Sequence, residues 1–359
     1  MVYRVVQWAT GEVGRAAINA VIAHPELQLV GCWVHSPQKT GVDVGELIGQ
    51  APMGVTTTNS LDDILALEAD CVIYSPLLPN PSEVTALLAS SKNVVTPVGW
   101  FYPDTSGHDL DATARQAGVT LHGTGIDPGG ITDLYPLIFS SMTSAVTYVR
   151  AEEYSDIRTY GAPDVIRYIM KFGGTPEEAI SGPMPKLLGG GFKQSLRMIL
   201  DGMGFTEVEI RPNLKVAVAT SDIDSPIGVI RPGCVAGQQF SWEAFVGDEA
   251  VARIAVNWLM GEEHLEPAWT FGPSGPRYEV EVRGTPSSLC TITGFHPHSV
   301  EAGLVANEGV VATAAHCVNS VPYVCQAQPG LKSYLDLPLI AGRAHPRLHR
   351  WPTEPRTAP

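Results

Sequence analysis

With 359 residues, 37 Asp+Glu against 23 Lys+Arg and a formal net charge of -14, the chain is long enough for two domains with buried cores. The acidic balance and the lack of any Lys/Arg cluster exclude a nucleic-acid surface, because a polyanion would be repelled. No apolar run reaches the roughly 18–20 residues needed to cross a bilayer, so no membrane role is expected.

In chain order, the first 135 residues alternate short β-branched runs with helical patterns. The strand "YRVVQW" leads into a helix from Val13 to Ala23, followed by the strand "LQLVGCWV". Then come a helix from Leu61 to Leu67, the strand "DCVIYS", a helix from Pro81 to Ser90, the strand "NVVTPV", a helix from Ala112 to Ala117, and the strand "VTLHGTG". Strands apolar on both faces and separated by helices predict a parallel sheet covered on both sides. From Thr143 the pattern changes to long alternating runs: "AVTYVRAEEYSDI", "TEVEIRPNLKVAVATSDI", "GQQFSWEAFV", "VARIAVNWLM", "RYEVEVRG" and "LCTITGFHP". These predict a mostly antiparallel sheet with helices on one face. Between them, helices joined by a glycine-rich loop "LLGGGF" are expected.

The fold class is therefore α/β: a Rossmann-type parallel-sheet domain plus a second α+β domain with a mostly antiparallel sheet. The expected division is 1–135 for dinucleotide binding, 136–306 for substrate and dimerisation, 307–342 as a helix and extension packing back on the first domain, and 343–359 as a tail. Because the first strand begins almost at Met1, no signal peptide is expected, and the expected location is the cytoplasm. Cys32, Cys71, Cys234, Cys290, Cys317 and Cys325 include no Cys-x-x-Cys pair and are expected to be free thiols.

The turn after the first strand carries the first chemical signal. A dinucleotide-binding turn uses three glycines: for a tight bend, for close approach of backbone to pyrophosphate, and for packing of helix on strand. Gly11 and Gly14 supply the last two; Gln7 or Trp8 stands in the region of the first. The segment Thr10, Gly11, Glu12, Val13 and Gly14 follows a strand and opens a helix, whose N-terminal N–H groups and dipole suit a phosphate. A carboxylate for the adenosine ribose belongs about 20 residues further on. That place reads Val34-His35-Ser36-Pro37-Gln38-Lys39, with no acid, while His35, Ser36 and Lys39 suit a 2′-phosphate. NADP is thus favoured, with NAD as the other possibility.

Three blocks together, "VVQWATGEVGRAAINAVI...LVGCWVHSPQKTGVDVGELIG", "GTGIDPGG" and "TAAHCVNSVPYVCQAQPGLKSYLDLPLIAG", resemble actinobacterial proteins with a dihydrodipicolinate-reductase-like N-terminal domain. That group is related to 2,4-diaminopentanoate dehydrogenase and the native amine dehydrogenases. The resemblance implies a second domain whose sheet builds a homodimer, and NAD(P)H delivering hydride to a C=N or C=O bond in an interdomain cleft. It also implies a glutamate, after the strand at Val94–Thr96, that handles ammonia and its protons. Here the segment reads Thr96-Pro97-Val98-Gly99-Trp100-Phe101-Tyr102-Pro103, without an acid, and Asp104 lies too far along to be its equivalent. Ammonium must lose a proton before it can attack a carbonyl, so this departure bears on which substrate is used.

In such a fold Ser75, Pro76, Leu77 and Gly99 follow strand ends and line the cofactor path. Gly123 and Gly125 permit a bend, and Pro128 is expected to begin a helix. Asp127 is either the N-cap of that helix or a polar group beside the reacting carbon, where the resemblance suggests Asn. By resemblance Asn319 is a candidate to bond the cofactor's carboxamide. Trp100, Phe101, Tyr154, Tyr160 and Tyr168 are candidate pocket walls, suited to an apolar or cyclic ketone or imine. His296 and His298 are spaced to share one face of a strand, as a loop pair or a general acid. His122 and the His316-Cys317 pair are read as core. The candidate catalytic groups are Asp127, Tyr102 and His298, with no metal. The expected activity is an NAD(P)H-dependent oxidoreductase of a C=N or C=O bond, amine dehydrogenase-like but without the glutamate. The alternatives are an imine or carbonyl reductase that does not use free ammonia, and a non-catalytic dinucleotide-binding sensor. "LLGGGF" offers no cation for a dicarboxylate, so true dihydrodipicolinate reductase activity is not expected.

Overall fold

The computed structural model describes residues 1–103, 109–345 and 347–348; Asp104 and most of the expected tail lie outside the described residues. The first strands are β1 (Tyr3–Trp8), β2 (Leu27–Trp33), β3 (Thr57–Thr58), β4 (Cys71–Tyr74), β5 (Asn93–Thr96) and β6 (Thr120–Gly123). Then follow β7 (Ser144–Asp156), β8 (Val208–Ala219), β9 (Val235–Val246), β10 (Glu249–Leu259), β11 (Leu265–Glu266), β12 (Arg277–Thr285), β13 (Ser288–Ile292) and β14 (Gly330–Leu331). Among the described residues they form two seven-stranded sheets, ordered β14-β6-β5-β4-β1-β2-β3 and β11-β8-β9-β10-β7-β12-β13.

Every pairing in the first sheet is parallel. Its strands are apolar on both sides because helices cover both: Cys71, Val72, Ile73 and Tyr74 of β4 are all fully buried. On one face Ala17, Ile18 and Val21 of the helix Glu12–Ala23 share a core with Ala314, Cys317, Val318 and Val321 of the helix Glu308–Gln326. On the other face the helices Pro81–Ala89 and Leu110–Ala117 contribute Val84, Leu87, Leu88, Leu110 and Ala114. Since β1 lies between β4 and β2, the strand order reverses there, which places a crevice at the carboxyl ends of β1 and β4.

The second sheet is antiparallel except where β10 runs parallel to β7. Its inner face, including Val149, Ala151, Trp242, Ile254 and Val280, packs on Phe192, Leu196, Ile199 and Leu200 of the helix Met184–Met203. Phe192 stacks on Trp242 with ring centroids 4.7 Å apart. This helix runs straight through Gly189-Gly190-Gly191, so "LLGGGF" is not a loop. Packing overrides the weak helical preference of glycine: a Cβ on Gly191 would lie 3.1 Å from the Phe101 ring and 3.3 Å from Pro128. The opposite face of the sheet carries joined ion pairs, with Arg150 at 2.6 Å from Glu152, 3.0 Å from Glu279 and 2.9 Å from Glu281, and Arg253 at 2.6 Å from Glu152.

Candidate active site

The turn after β1 holds the glycine frame in a register that differs from the expected one. The first position is Ala9, giving Ala9-x-Gly11-x-x-Gly14; neither Gln7 nor Trp8 takes the bend. Ala9 has φ of 71°, the left-handed region for which glycine is usually selected, and its small side chain tolerates it. A Cβ on Gly14 would lie 2.2 Å from the Ala9 carbonyl oxygen, so this position admits only glycine. Around Gly11, by contrast, a Cβ would meet nothing within 4 Å. Gly11 caps the helix without a side-chain acceptor, which leaves the first-turn N–H groups facing open space.

Gln7 stabilises this turn from below. Its amide nitrogen lies 2.9 Å from the Trp8 carbonyl, 3.0 Å from that of Ala9 and 2.8 Å from Ser75 Oγ, tying the end of β1 to the end of β4. Beyond β2, Lys39 Nζ donates to Thr10 Oγ1 at 3.3 Å, so the loop after that strand reaches back to the glycine turn. Next to it lies a cavity of about 590 Å³ lined by Ala9, His35, Pro76, Leu77 and the stacked pair Trp8 and Trp33, whose ring centroids are 4.3 Å apart. Both indole N–H groups are buried without an acceptor. An open glycine cradle, free helix N–H groups and orphaned donors around an aromatic cavity fit a dinucleotide.

A second cavity, of about 240 Å³, sits where the two sheets meet. Val13 of the first helix and Ile126 and Asp127 of the loop after β6 close it from one side. Glu153 and Ser155 of β7, Tyr278 of β12 and His296 close it from the other, and Asn307 and Thr313 roof it. Both carboxylate oxygens of Asp127 are buried without a hydrogen-bond partner. Burial, and next the neighbouring Glu153 carboxyl, push Asp127 well above the ordinary carboxylate range, which favours its protonated form. Ser155 Oγ donates to Glu153 Oε1 and lies 2.8 Å from His296 Nε2, while Trp258 Nε1 donates to Glu153 Oε2 at 3.3 Å. Burial lowers the His296 pKa, with Glu153 and Glu308 opposing it. Burial raises the Tyr278 hydroxyl, reinforced by Glu153 and Asp127. Among the described residues no lysine or arginine lines this cavity.

Of the residues singled out from sequence, Val13 and Asp127 meet in this cleft, with Tyr160 beside them. Glu12 lies at its edge, where a Cβ on Gly161 would approach its carboxylate. Asp127 is not a helix cap, and Pro128 does not begin an α-helix: residues Gly130–Leu134 form a π-helical turn, continuing as an α-helix from Tyr135. Gly123 lets the loop after β5 cross it, since a Cβ there would lie 2.2 Å from the Gly99 carbonyl oxygen, and Gly125 packs near Thr313. Other expected residues go elsewhere. Tyr102 donates to Asp201 Oδ2 at 3.0 Å and does not line the cavity. Trp100 packs on the core of the parallel sheet, and Phe101 is buried near Gly191. Tyr154 points to the other face of β7, where its hydroxyl donates to Glu152 at 2.6 Å under the Arg277 guanidinium. Period-two alternation sends Glu153 and Ser155 inward and Tyr154 outward. Tyr168 is 61% exposed.

The histidine pair is not on a strand, since β13 ends at Ile292, yet both residues line one larger cavity. His296 faces the cleft, whereas His298 is exposed and lines only the larger neighbouring cavity. Asn319 lies near Ala23, His24 and Arg343, more than three helical turns from the Asn307 end of its helix. Glu153, Ser155 and Tyr278 were missed by sequence reasoning. The available signal was the doublet Glu152-Glu153 in an alternating strand, which must turn one acid toward the apolar inner side.

Comparison with known proteins matches this geometry to a family. Residues 5–95 match the dihydrodipicolinate reductase N-terminus, and residues 131–264 and 279–346 match the 2,4-diaminopentanoate dehydrogenase C-terminal domain. An amine dehydrogenase from Streptomyces virginiae is 29% identical over 357 residues, covering 93% of this chain and 96% of that protein. The 2,4-diaminopentanoate dehydrogenase of Acetoanaerobium sticklandii is 28% identical over 234 residues, covering 64% of this chain and 61% of that one. The solved amine dehydrogenase from Mycobacterium smegmatis shares the fold with a TM-score of 0.76 at 21% identity, covering 95% of this chain and 97% of that chain. With a dinucleotide turn at the sheet crevice and a match spanning most of its second half, the chain belongs to the family of the 2,4-diaminopentanoate dehydrogenase C-terminal domain and is an NAD(P)-dependent oxidoreductase.

Proposed function

We propose that this oxidoreductase acts on a C=N or C=O bond of a small molecule, in the cleft between the two sheets. The observation that carries this reading is the cavity in which Asp127, Glu153 and His296 face Val13 of the glycine turn. Hydride transfer needs an electrophilic carbon held in register with the cofactor, and proton transfer needs ionisable groups beside it. The cavity's other walls, Ile126, Ile157, Tyr160, Phe295 and Val310, favour an apolar or cyclic substrate.

For the cofactor we favour NADP over NAD. Thr10, Gly11, Glu12, Val13 and Gly14 would hold the pyrophosphate, and His35, Ser36 and Lys39 the adenosine end. Support comes from the missing carboxylate after β2 and from the reach of Lys39 to Thr10. Ser75, Pro76 and Leu77 would continue the path, and the bound cofactor would supply the hydride. The domain boundaries expected from sequence, a homodimer through the ion-paired sheet face, and a cytoplasmic setting consistent with six unpaired thiols belong to the same reading.

NADPH and NADH oxidation with cyclic and aliphatic ketones, with and without excess ammonium, and with preformed cyclic imines tests this function. Turnover of any of these is the expected result. Tight dinucleotide binding with no turnover across the panel would replace it with a sensor role.

A further inference from the structure

The residues directly after β5, 97–103, include no acid, yet the cleft is rich in carboxyl groups, and one of them is wired outward. Glu153 receives the Ser155 hydroxyl, and Ser155 Oγ is 2.8 Å from His296 Nε2. A serine has one proton to donate; because it is given to Glu153, the proton between serine and histidine comes from Nε2. The chain is therefore directional, from His296 through Ser155 to Glu153. His296 lines both the cleft and the adjoining cavity of about 890 Å³, which also presents Asp156, Glu262 and His298. Thus one end of the chain meets the reacting space and the other a roomy, open compartment.

Charge points to the ligand. Asp127 and Glu153 are neighbouring carboxyl groups in the cleft. The titratable groups facing them are Asp133 behind Asp127, Asp156, Tyr160, Tyr278 and His296, with Glu308 beside His296, and none of these is a fixed cation. Both Asp127 oxygens lack partners. A small cation with several N–H donors suits these orphaned acceptors in a cleft that, among the described residues, no lysine or arginine lines.

We propose that Glu153, paired with Asp127, holds ammonium in the cleft and takes its proton, and that Ser155 and His296 relay protons between Glu153 and the neighbouring cavity. This rests on reading the cleft as the C=N or C=O site. Ammonium gives one proton to Glu153, and the freed ammonia lone pair forms the N–C bond as the carbonyl π pair moves to oxygen. Proton transfer from nitrogen to that oxygen gives a neutral amino alcohol. Glu153 returns its proton to the hydroxyl, which leaves as water, and the resulting iminium carbon receives the hydride with its two electrons. The sum is ketone, ammonium and NAD(P)H to amine, water and NAD(P)+. The neutral amine then takes a proton drawn through His296 and Ser155 and leaves as a cation.

The test is calorimetric titration of ammonium chloride into the NADP+-saturated protein, with sodium chloride as control, alongside steady-state kinetics. Wild type is expected to bind ammonium, and Glu153→Gln to weaken that binding by about tenfold or more. Ser155→Ala is expected to keep the ammonium KM and lower kcat of the ammonia-dependent reaction by about tenfold. Glu153→Asp, checked by its melting temperature, guards against a folding defect and is expected to restore part of the binding. Ammonium binding unchanged in a folded Glu153→Gln protein, or absent in wild type, overturns the proposal. Glu153-dependent ammonium binding without turnover of any carbonyl or imine supports the site and defeats only the broader functional reading.

Discussion

Gly14 marks the closest approach of the first helix to β1, and replacing it separates the structural from the ligand-binding role of the glycine turn. In Gly14→Ala the new methyl would lie 2.2 Å from the Ala9 carbonyl oxygen, 3.0 Å from the Ala9 carbonyl carbon and 3.1 Å from Gln7 Nε2, where ordinary contact begins near 3.4 Å. The obstacle is backbone, already held at a positive φ and anchored by Gln7, so the helix must retreat by roughly 1 Å, an overpacking of about 2–3 kcal/mol. At about 2 °C per kcal/mol for a chain of this size, the melting temperature should fall by about 4–6 °C. Gly11→Ala is the control: its φ of -70° suits alanine and its Cβ meets nothing within 4 Å. Its melting temperature should stay within about 1 °C of wild type, while NADPH affinity falls by about tenfold because the methyl occupies the phosphate approach. Thermal melts of the free protein and NADPH fluorescence titrations measure both. An unchanged melting temperature for Gly14→Ala, or a drop for Gly11→Ala with normal NADPH binding, would refute the reasoning.

Lys39→Ala should raise the NADPH dissociation constant by about tenfold and leave that of NADH nearly unchanged, as paired titrations will show. Burial pushes Asp133 up to about 7 from the ordinary 3.8, against the hydrogen bonds from Ser195 and Thr132. Since the folded state holds this proton more tightly, stability is lost as pH rises from 3.8 through 7; urea melts should show wild type losing about 3 kcal/mol relative to Asp133→Asn between pH 5 and 8. Tyr102→Phe should keep kcat within about twofold of wild type, because the hydroxyl is engaged by Asp201 outside the cleft; a loss approaching the hundredfold typical of a missing general acid would return it to the chemistry.

Much of the fold was legible because it is written in local periodicity. Apolar runs such as "CVIY" can sit only between two helical layers, and alternating runs such as "VRAEEYSD" can have only one apolar face. The glycine run in "LLGGGF" misled because local preference argued for a loop, while the partners that make it helical, Phe101 and Pro128, are far away in sequence. The missing first glycine misled for a different reason: Ala9 adopts the positive φ that composition alone assigns to glycine.

By itself the sequence determined a parallel α/β half with a dinucleotide turn, a second sheet of long alternating strands, and the lack of an acid in residues 97–103, directly after β5. All of these follow from spacing within one short segment. Only the tertiary structure decided which side chains share the cleft. Asp127, Glu153, Tyr278 and His296 come from the loop after β6, from β7, from β12 and from beyond β13. Strand register turns Glu153 inward and Tyr154 outward, and the loop after β13 aims His296 rather than His298 at the cleft. The meeting of two carboxyl groups in one buried site is a property of that register, since a shift of a single residue on β7 would send Glu153 to the ion-paired face.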